Sequence, residues 1–402
     1  MLLLGERNIV PNRCMQRYDL SVFCANVSLI FRFFKRIGKG EKVSFDANRC
    51  QLARSKCCGV VKCHRCSDDN TKIFYNFVAF YELNAVRMKK VLNEVGYVLV
   101  YGSWYLLSLL PMRLLYVLSD LLYFIMTYIL RYRHRVIWKN LSSSFPEKSH
   151  EELVKIEKDF YHWFCDYLVE TIKLMTMSAT QLQKRMRFTG MEQFNAALND
   201  GLSCAVYLGH YGNWEWITSL PYSIPSHVQC CQLYHPLENK RFDRLFKYVR
   251  ERQHALCIPM HNSLRKILEF KRNNRAIVVG YIADQVPLWW NIHHWLDFLH
   301  HDTPVLTGAE RIIKHMGQVC FYGDVKRVKR GYYECEMKLM ASNPKQCKKW
   351  ELTDQYFRML EETIRRQPAC YLWSHNRWKR TREEFERDWE VVDGKVLRKK
   401  ND

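Results

Sequence analysis

The stretch LGHYGNWEW, residues 208–216, places a histidine and a glutamate five residues apart, with glycines at positions 209 and 212. A carboxylate on one imidazole nitrogen fixes the tautomer and leaves the other nitrogen as a base. His210 and Glu215 are therefore the residue types that a general base for a hydroxyl group requires. Because this spacing is common by chance, a histidine satisfied within a helix-capping turn is the favoured interpretation of the spacing alone, and the strand end and the two glycines make the two interpretations about equal.

The elements around this stretch predict where the pair lies. The apolar run SCAVYL, residues 203–208, is typical of a buried strand, and WEWITSL begins a helix. His210 then lies at the carboxyl end of a strand, where open α/β sheets bind ligands. The glycines allow the carboxylate of Glu215 to fold back towards the imidazole. Asp284 and Gln285 follow another predicted strand and are expected on the same rim, as substrate contacts or as a structural turn.

Short apolar runs and helical segments alternate from about residue 186 onwards. Such alternation predicts an α/β domain with a largely parallel mixed sheet flanked by helices. An upstream helix is expected to begin at a capping box formed by Ser149 and Glu152. The predicted strands cover residues 203–208, 228–233, 276–282, 318–323 and 332–339, and the predicted helices lie near 238–254, 262–272, 304–316 and 351–366.

Residues 95–130 are the most apolar part of the chain, interrupted by Pro111, Arg113 and Asp120. A spanning helix needs about 20 apolar residues, and each half of this stretch is a little short. A single N-terminal anchor, a pair of amphipathic interfacial helices and a buried core helix all fit the pattern. Basic residues follow directly and are typical of a cytoplasmic flank that faces lipid. These residues are Arg131, Arg133, Arg135 and Lys139.

Composition narrows the class of protein. A hydrophobic content of 48% argues against general disorder. The 16 cysteines are scattered, and without a secretory signal they indicate reduced thiols in a cytoplasmic compartment. The formal net charge of +21 predicts an anionic partner. Since the chain has no long Lys/Arg run, an anionic membrane or an acidic protein is favoured over nucleic acid.

Two further segments carry metal-ligating residue types. Cys57, Cys63, His64 and Cys66 could hold zinc, although an over-extended start with Met88 as the initiator is the preferred interpretation of residues 1–87. The segment NIHHWLDFLHHD, residues 291–302, raises a metal-dependent membrane oxygenase as an alternative function. The preferred interpretation here is an aromatic-rich loop that touches lipid. Its tryptophans are Trp289, Trp290 and Trp295.

The segment VYLGHYGNWEW resembles the His-x4-Asp/Glu block of the lipid A biosynthesis acyltransferases. These are the late acyltransferases of lauroyl and myristoyl type, related to the lysophospholipid and glycerol-phosphate acyltransferases. Over about residues 88–380 the amino-acid sequence is similar to that of the Bacteroidetes-type branch of this family. FLHHDTP stands where the family usually has Phe-Phe-Gly, and QHALCIP where it often has a glycine. The other similar blocks are NLSSSFPEKS, LYHPLENKRFDRLFKYVRER, IVVGYIADQ, TPVLTGAERIIKHMG and CYLWSHNRWK.

The resemblance implies an acyltransferase with a glycerol-phosphate acyltransferase-like fold at the cytoplasmic face of the bacterial inner membrane. It implies transfer of an acyl chain from acyl carrier protein to a hydroxyl of a lipid A precursor. His210 would be the base and Glu215 would orient and charge it. Backbone amides near the turn or an arginine would stabilise the oxyanion. No cofactor and no metal are expected. A lysophospholipid or aminolipid acceptor, or a non-catalytic lipid-binding protein, are alternatives.

The resemblance also sets the expected partners and regions. An acidic carrier, a phosphorylated precursor and anionic membrane lipid all favour a basic surface. We expect a Cys-rich extension over residues 1–87, a membrane anchor with its basic flank over 88–140, the acyltransferase domain over 141–385 and a polar basic tail over 386–402. The expected substrate-binding residues are Asn213, Arg250, Arg252, Arg265, Asp284, Gln285 and Arg377, with a solvated helix face as the alternative for Arg250, Arg252 and Arg265.

Overall fold

The computed structural model describes residues 93–399. The predicted zinc site and the start at Met88 lie outside these residues. The apolar stretch forms two helices, α1 over residues 93–109 and α2 over Met112–Phe124, and a π-helical turn over Ile125–Ile129 continues α2. Pro111 separates the helices because its fixed φ and missing N–H suit the start of a helix and not its interior.

The two helices expose much of their apolar surface. Val98, Leu106, Val117 and Leu121 are each more than half exposed. Within residues 93–399, Met112–Ile129 is the stretch long and apolar enough to cross a membrane, with 11% of it buried. The polar side of α2 contacts the rest of the domain, since Ser119 donates a hydrogen bond of 2.7 Å to Asp166.

A second group of helices follows. The helix α4 begins at Ser149, whose side chain accepts from the Glu152 amide while the Glu152 carboxylate accepts from the Ser149 amide. This capping box was predicted and is confirmed. The helices of this group are α3 His134–Ser144, α4 His150–Leu174, α5 Ala179–Arg185 and α6 Met191–Asn199.

A seven-stranded sheet forms the centre of the α/β domain, with strand order β1-β9-β8-β2-β5-β3-β4. The strands β8, β2, β5, β3 and β4 run parallel, and the β8–β9 pair is antiparallel. The expectation of a largely parallel mixed sheet flanked by helices is therefore confirmed. The strands are β1 Met186–Thr189, β2 Cys204–Leu208, β3 Gln229–Tyr234, β4 Leu256–Pro259, β5 Ile277–Ile282, β8 Val319–Lys329 and β9 Tyr332–Ala341.

Helices cover the sheet and two small hairpins lie beside it. The predicted helix after His210 is a 3-10 helix over Trp216–Ser223 that contains Pro221. The segment predicted as a polar basic tail carries the hairpin of β10 Trp389–Val392 and β11 Lys395–Arg398. The remaining elements are α7 Lys240–Glu251, α8 Ser263–Arg272, β6 Trp295–Phe298, β7 His301–Pro304, α9 Gly308–Met316, α10 Glu351–Arg366 and α11 Arg382–Asp388.

Candidate active site

The register of two central strands brings a histidine and a carboxylate together. β2 and β5 are parallel neighbours, and Leu208 lies opposite Ile282. His210 and Asp284 each come two residues after these partners. Because side chains alternate along strands, equal offsets from paired residues place both groups on the same side of the same edge.

His210 and Asp284 make two hydrogen bonds. The imidazole Nδ1 lies 2.6 Å from Asp284 Oδ1, and the His210 backbone N–H donates to Oδ2 at 3.0 Å. A carboxylate can only accept, so Nδ1 carries the proton and Nε2 is the basic nitrogen. The side-chain amide nitrogen of Gln285 lies 3.3 Å from Nε2. The His210 side chain is 18% exposed, whereas that of Asp284 is 2% exposed.

Opposing effects act on the Asp284 carboxyl. Burial acts to raise its pKa, but the charge of His210, the two hydrogen bonds from that residue and the charge of Arg377 hold the pKa below its usual value. Asp284 is therefore ionised at neutral pH and able to stabilise an imidazolium at His210.

Glu215 binds a different partner from the one expected. Its carboxylate accepts two hydrogen bonds from Arg250 on α7, from Nε at 2.9 Å and from Nη2 at 2.6 Å. Glu215 lies at the start of the 3-10 helix, where its side chain meets α7. The expected contact between Glu215 and the imidazole is therefore corrected: Glu215 contacts Arg250, and strand pairing brings Asp284 to the imidazole.

The turn after β2 is held tightly. Gly212 has a φ of 59°, which favours glycine, and a Cβ at Gly209 would lie 2.6 Å from a methyl carbon of Leu360 on α10. The backbone of residues 210–212 pairs with that of residues 370–372, and the Gly212 amide donates to the Cys370 carbonyl at 2.9 Å. The amides of His210 and Gly212 are thus already bonded, which removes them from the expected oxyanion donors.

A mainly apolar cavity of about 370 Å³ lies directly beside the histidine. Its mouth includes His210, Glu215, Arg250 and Gln285, and its walls come from the faces of β2, β3 and β5, the 3-10 helix and α7. The opposite face of β2 is covered by α10, where Tyr207 and Tyr356 stack with ring centroids 4.6 Å apart. The strands therefore present a packed face to α10 and an open apolar face to the cavity.

The other predicted site residues lie elsewhere. Asn213 is fully buried below the turn, where its amide donates to Glu170 at 2.7 Å and its carbonyl accepts from the Trp216 amide at 3.0 Å. Arg252 and Arg265 are exposed on or after α7 and α8, and neither lines the cavity. The structure therefore brings Asp284 and Gln285 into contact with His210 and places Arg250 in the lining of the same cavity. Asn213, Arg252 and Arg265 lie apart from the imidazole.

The C-terminal block lies behind Asp284. Arg377 is 1% exposed and donates to the Pro304 carbonyl at 2.9 Å. Burial lowers the pKa of His375 to about 4, so this imidazole is neutral at neutral pH. These residues support the carboxylate and do not line the cavity.

Sequence reasoning missed two supporting residues. The Asn140 amide donates to the backbone carbonyls of Trp373 and His375 at 2.8 and 2.9 Å, which joins the NLSSSFPEKS block to the C-terminal block. Glu170 on α4 accepts from Asn213, from the Tyr116 hydroxyl at 2.9 Å and from the Tyr333 hydroxyl at 2.9 Å. Its signal in the sequence is a carboxylate seven residues after Trp163, on the apolar face of the helix.

His294 and His301, two of the four histidines of residues 291–302, bond to protein groups. His294 Nε2 lies 2.7 Å from an oxygen of Asp354. His301 lies 2.6 Å from the Leu299 carbonyl through Nδ1 and 2.9 Å from the Ser143 hydroxyl through Nε2. Its ring also stacks on Trp378. These contacts hold the hairpin of β6 and β7 to the domain.

Comparison with known protein families identifies the family of this chain, and the family gives its enzyme class. Residues 86–380, more than half of the chain, match the family described as bacterial lipid A biosynthesis acyltransferase. The chain belongs to this family and is therefore an acyltransferase, with an acyl donor and a lipid A-type acceptor. Lipid A acyltransferases are membrane-associated. No curated protein matches the chain.

Proposed function

We propose that this enzyme moves an acyl chain from acyl carrier protein to a hydroxyl of a lipid A precursor, with His210 as general base. The observation that carries the proposal is the His210–Asp284 pair at the mouth of an apolar cavity. Nε2 takes the proton of the acceptor hydroxyl as the oxygen attacks the thioester carbonyl. The C–S bond then breaks, and the thiolate leaves with the proton returned by the imidazolium. This reaction needs no cofactor.

Asp284 takes the role first expected of Glu215. Its charge stabilises the imidazolium that forms when Nε2 accepts the proton. Its second oxygen accepts from the backbone N–H of the same histidine and fixes the turn, and the imidazole cannot turn away from the cavity without breaking the Nδ1 hydrogen bond. Gln285 contacts Nε2 in the resting enzyme and is the group that the acceptor hydroxyl displaces.

Glu215 acts through Arg250. Two of the guanidinium nitrogens bond to Glu215, and Nη1 is the nitrogen outside this pair. The arginine lines the cavity mouth beside the base. A cation fixed at that point stabilises the oxyanion of the tetrahedral intermediate, where a preorganised charge has most effect. A carboxylate is needed there to hold the guanidinium in place.

The membrane-facing side supports an orientation towards an anionic leaflet. Arg131, Arg133 and Arg135 line a second surface cavity directly after the exposed apolar end of α2. Positive charge next to an apolar surface favours anionic lipid headgroups. With the acidic acyl carrier protein as donor, the catalytic domain would face the cytoplasm at the inner membrane.

Mass spectrometry of lipid A from a strain that lacks the protein tests the function. One acyl chain should be missing, wild-type protein should restore it, and His210→Ala should not restore it although it accumulates to the same level. An unchanged lipid A profile contradicts a lipid A acceptor, and a missing acyl group on a lysophospholipid or aminolipid would identify the alternative acceptor. Assays with the same chain on carrier protein and on coenzyme A would separate the two donors.

A further inference from the structure

Gly280 lies in the middle of β5, a central strand of the sheet, and it also lines the cavity beside His210. A glycine inside a strand weakens that strand and often marks a place where a ligand or another backbone approaches closely. Whether backbone conformation, protein packing or a ligand requires this glycine can be decided from its surroundings.

Neither the backbone nor protein packing requires a glycine at this position. Gly280 is absent from the positive-φ residues of the described chain. A Cβ built on it would lie 3.8 Å from the Cys231 carbonyl oxygen and 3.9 Å from a methyl carbon of Leu208, which are ordinary contact distances. By contrast, a Cβ on Gly323 of β8 would lie 2.5 Å from a methyl carbon of Leu208, so packing requires that glycine.

The register gives Gly280 a defined depth in the cavity. Ile282, Gly280 and Val278 share one face of β5 and all line the cavity. Ile282 lies beside Leu208 near the histidine, Gly280 beside Val206, and Val278 beside Cys204 at the far end. Each side-chain row lies about 7 Å below the previous one. A bulky side chain at the middle row would therefore separate the mouth from the deep end.

We propose that Gly280 determines how long an acyl chain the enzyme accepts, because the space left by its missing side chain lets the chain reach the Val278 row. This inference rests on the proposed function, in which the cavity holds the acyl chain of the donor. The apolar walls at this depth, Val206, Val278 and Leu220, fit a saturated hydrocarbon chain. The mouth, with its base and arginine, fits the thioester carbonyl.

The test uses the full-length enzyme and a series of saturated acyl donors of increasing length. Gly280→Leu should move the preferred donor to shorter chains. It should lower kcat/KM for the wild type's preferred donor at least about tenfold, since single methylenes in apolar pockets give differences of this size. Val278→Ala should move the preference to longer chains. Gly280→Ala should give a smaller shift in the same direction as Gly280→Leu.

Gly308→Leu is the matched control. Gly308 has no atom within 4 Å of a built Cβ and does not line the cavity, so the same side chain is added at an open position. It should keep the wild-type chain-length profile, and thermal melts should show that all variants are folded. If Gly280→Leu lowers the rate equally for every donor length, or leaves the profile unchanged, the proposal is overturned.

Failure of the proposed function gives a different result. In that case the wild type transfers no acyl chain from any donor, and calorimetric titration with free saturated fatty acids of the same lengths replaces the rate assay. A length-dependent affinity that Gly280→Leu moves to shorter chains supports the role of Gly280. An affinity profile that this substitution leaves unchanged overturns it.

Discussion

Two regions of the molecule, the turn after β2 and the β6–β7 hairpin, hold histidines in different ways. The turn after β2 holds His210 with Nδ1 on a buried carboxylate and Nε2 on the side of the cavity. The β6–β7 hairpin holds His301 with both ring nitrogens bonded to protein and the ring stacked on Trp378. The difference indicates that a histidine gains chemistry from a basic nitrogen that faces a cavity and contacts a displaceable side chain, here Gln285, and not from the number of histidines nearby.

The largest difference in the rate of acyl transfer is expected between variants of His210 and His301. His210→Ala should lower acyl transfer by about 10²- to 10⁴-fold because the general base is lost. His301→Ala should leave the rate per folded molecule near that of the wild type while lowering the melting temperature. Steady-state kinetics with thermal melts measure both. Comparable loss of rate in the two variants would remove the distinction.

Asp284→Asn should have the next largest effect on rate, at least about 10²-fold. The amide has one oxygen and one nitrogen, so it cannot accept from both the imidazole and the backbone N–H of His210, and the wrong tautomer becomes favoured. Nitrogen NMR of the imidazole reports the tautomer directly. A variant with reduced rate but an unchanged Nδ1–H tautomer would show that Asp284 acts in another way.

Substitutions of the Glu215–Arg250 pair test whether Glu215 has a structural role, in contrast to Asp284 beside the base. Arg250→Met leaves a buried carboxylate without its cation and should lower the free energy of unfolding by about 3–5 kcal/mol. The double variant Glu215→Gln, Arg250→Met should recover much of this stability but not the rate, since the cation at the cavity mouth is still missing. Denaturant unfolding and kinetics on these two variants and on Glu215→Gln alone complete the cycle. Recovery of both quantities would exclude a role for Arg250 in transfer.

Glu170 supports the histidine turn through Asn213, and its burial raises the pKa of the carboxyl from 4.5 to about 7. The folded state therefore binds the proton more tightly than the unfolded state does. Its contribution to stability is present below pH 4.5 and falls as the pH rises towards 7, by about 3 kcal/mol in total. Glu170→Gln should remove this part of the pH dependence. Unfolding curves of both proteins across this range measure it, and parallel curves would contradict it.

The smallest effect is expected in the hairpin. His300 has a φ of 63°, a backbone conformation that favours glycine. His300→Gly should raise the free energy of unfolding by up to about 1 kcal/mol, because its exposed contacts with Arg365 and Glu147 contribute little. Activity should not change. Loss of activity would assign the hairpin a part in the reaction.

The order of strands and helices was predicted well from the sequence because these elements depend on interactions between residues close together in the chain. The five predicted strands and the helices after them exist in the expected order, and the capping box at Ser149 is present. The pairing of His210 with Asp284 spans 74 residues and depends on the register of two strands, which no local pattern contains. Sequence reasoning therefore placed Asp284 on the correct rim but gave the imidazole the nearer carboxylate in the chain.

The link from Asn140 to the carbonyls of Trp373 and His375 has a consequence for how the site is assembled. Those carbonyls belong to the segment that also pairs with the histidine turn. The turn therefore cannot reach its final conformation until nearly the whole chain has been synthesised. A nascent chain that stops before residue 370 would carry the base, its carboxylate partner and the cavity walls, yet lack the segment that locks them together. Activity should consequently appear late in folding, after the sheet has formed.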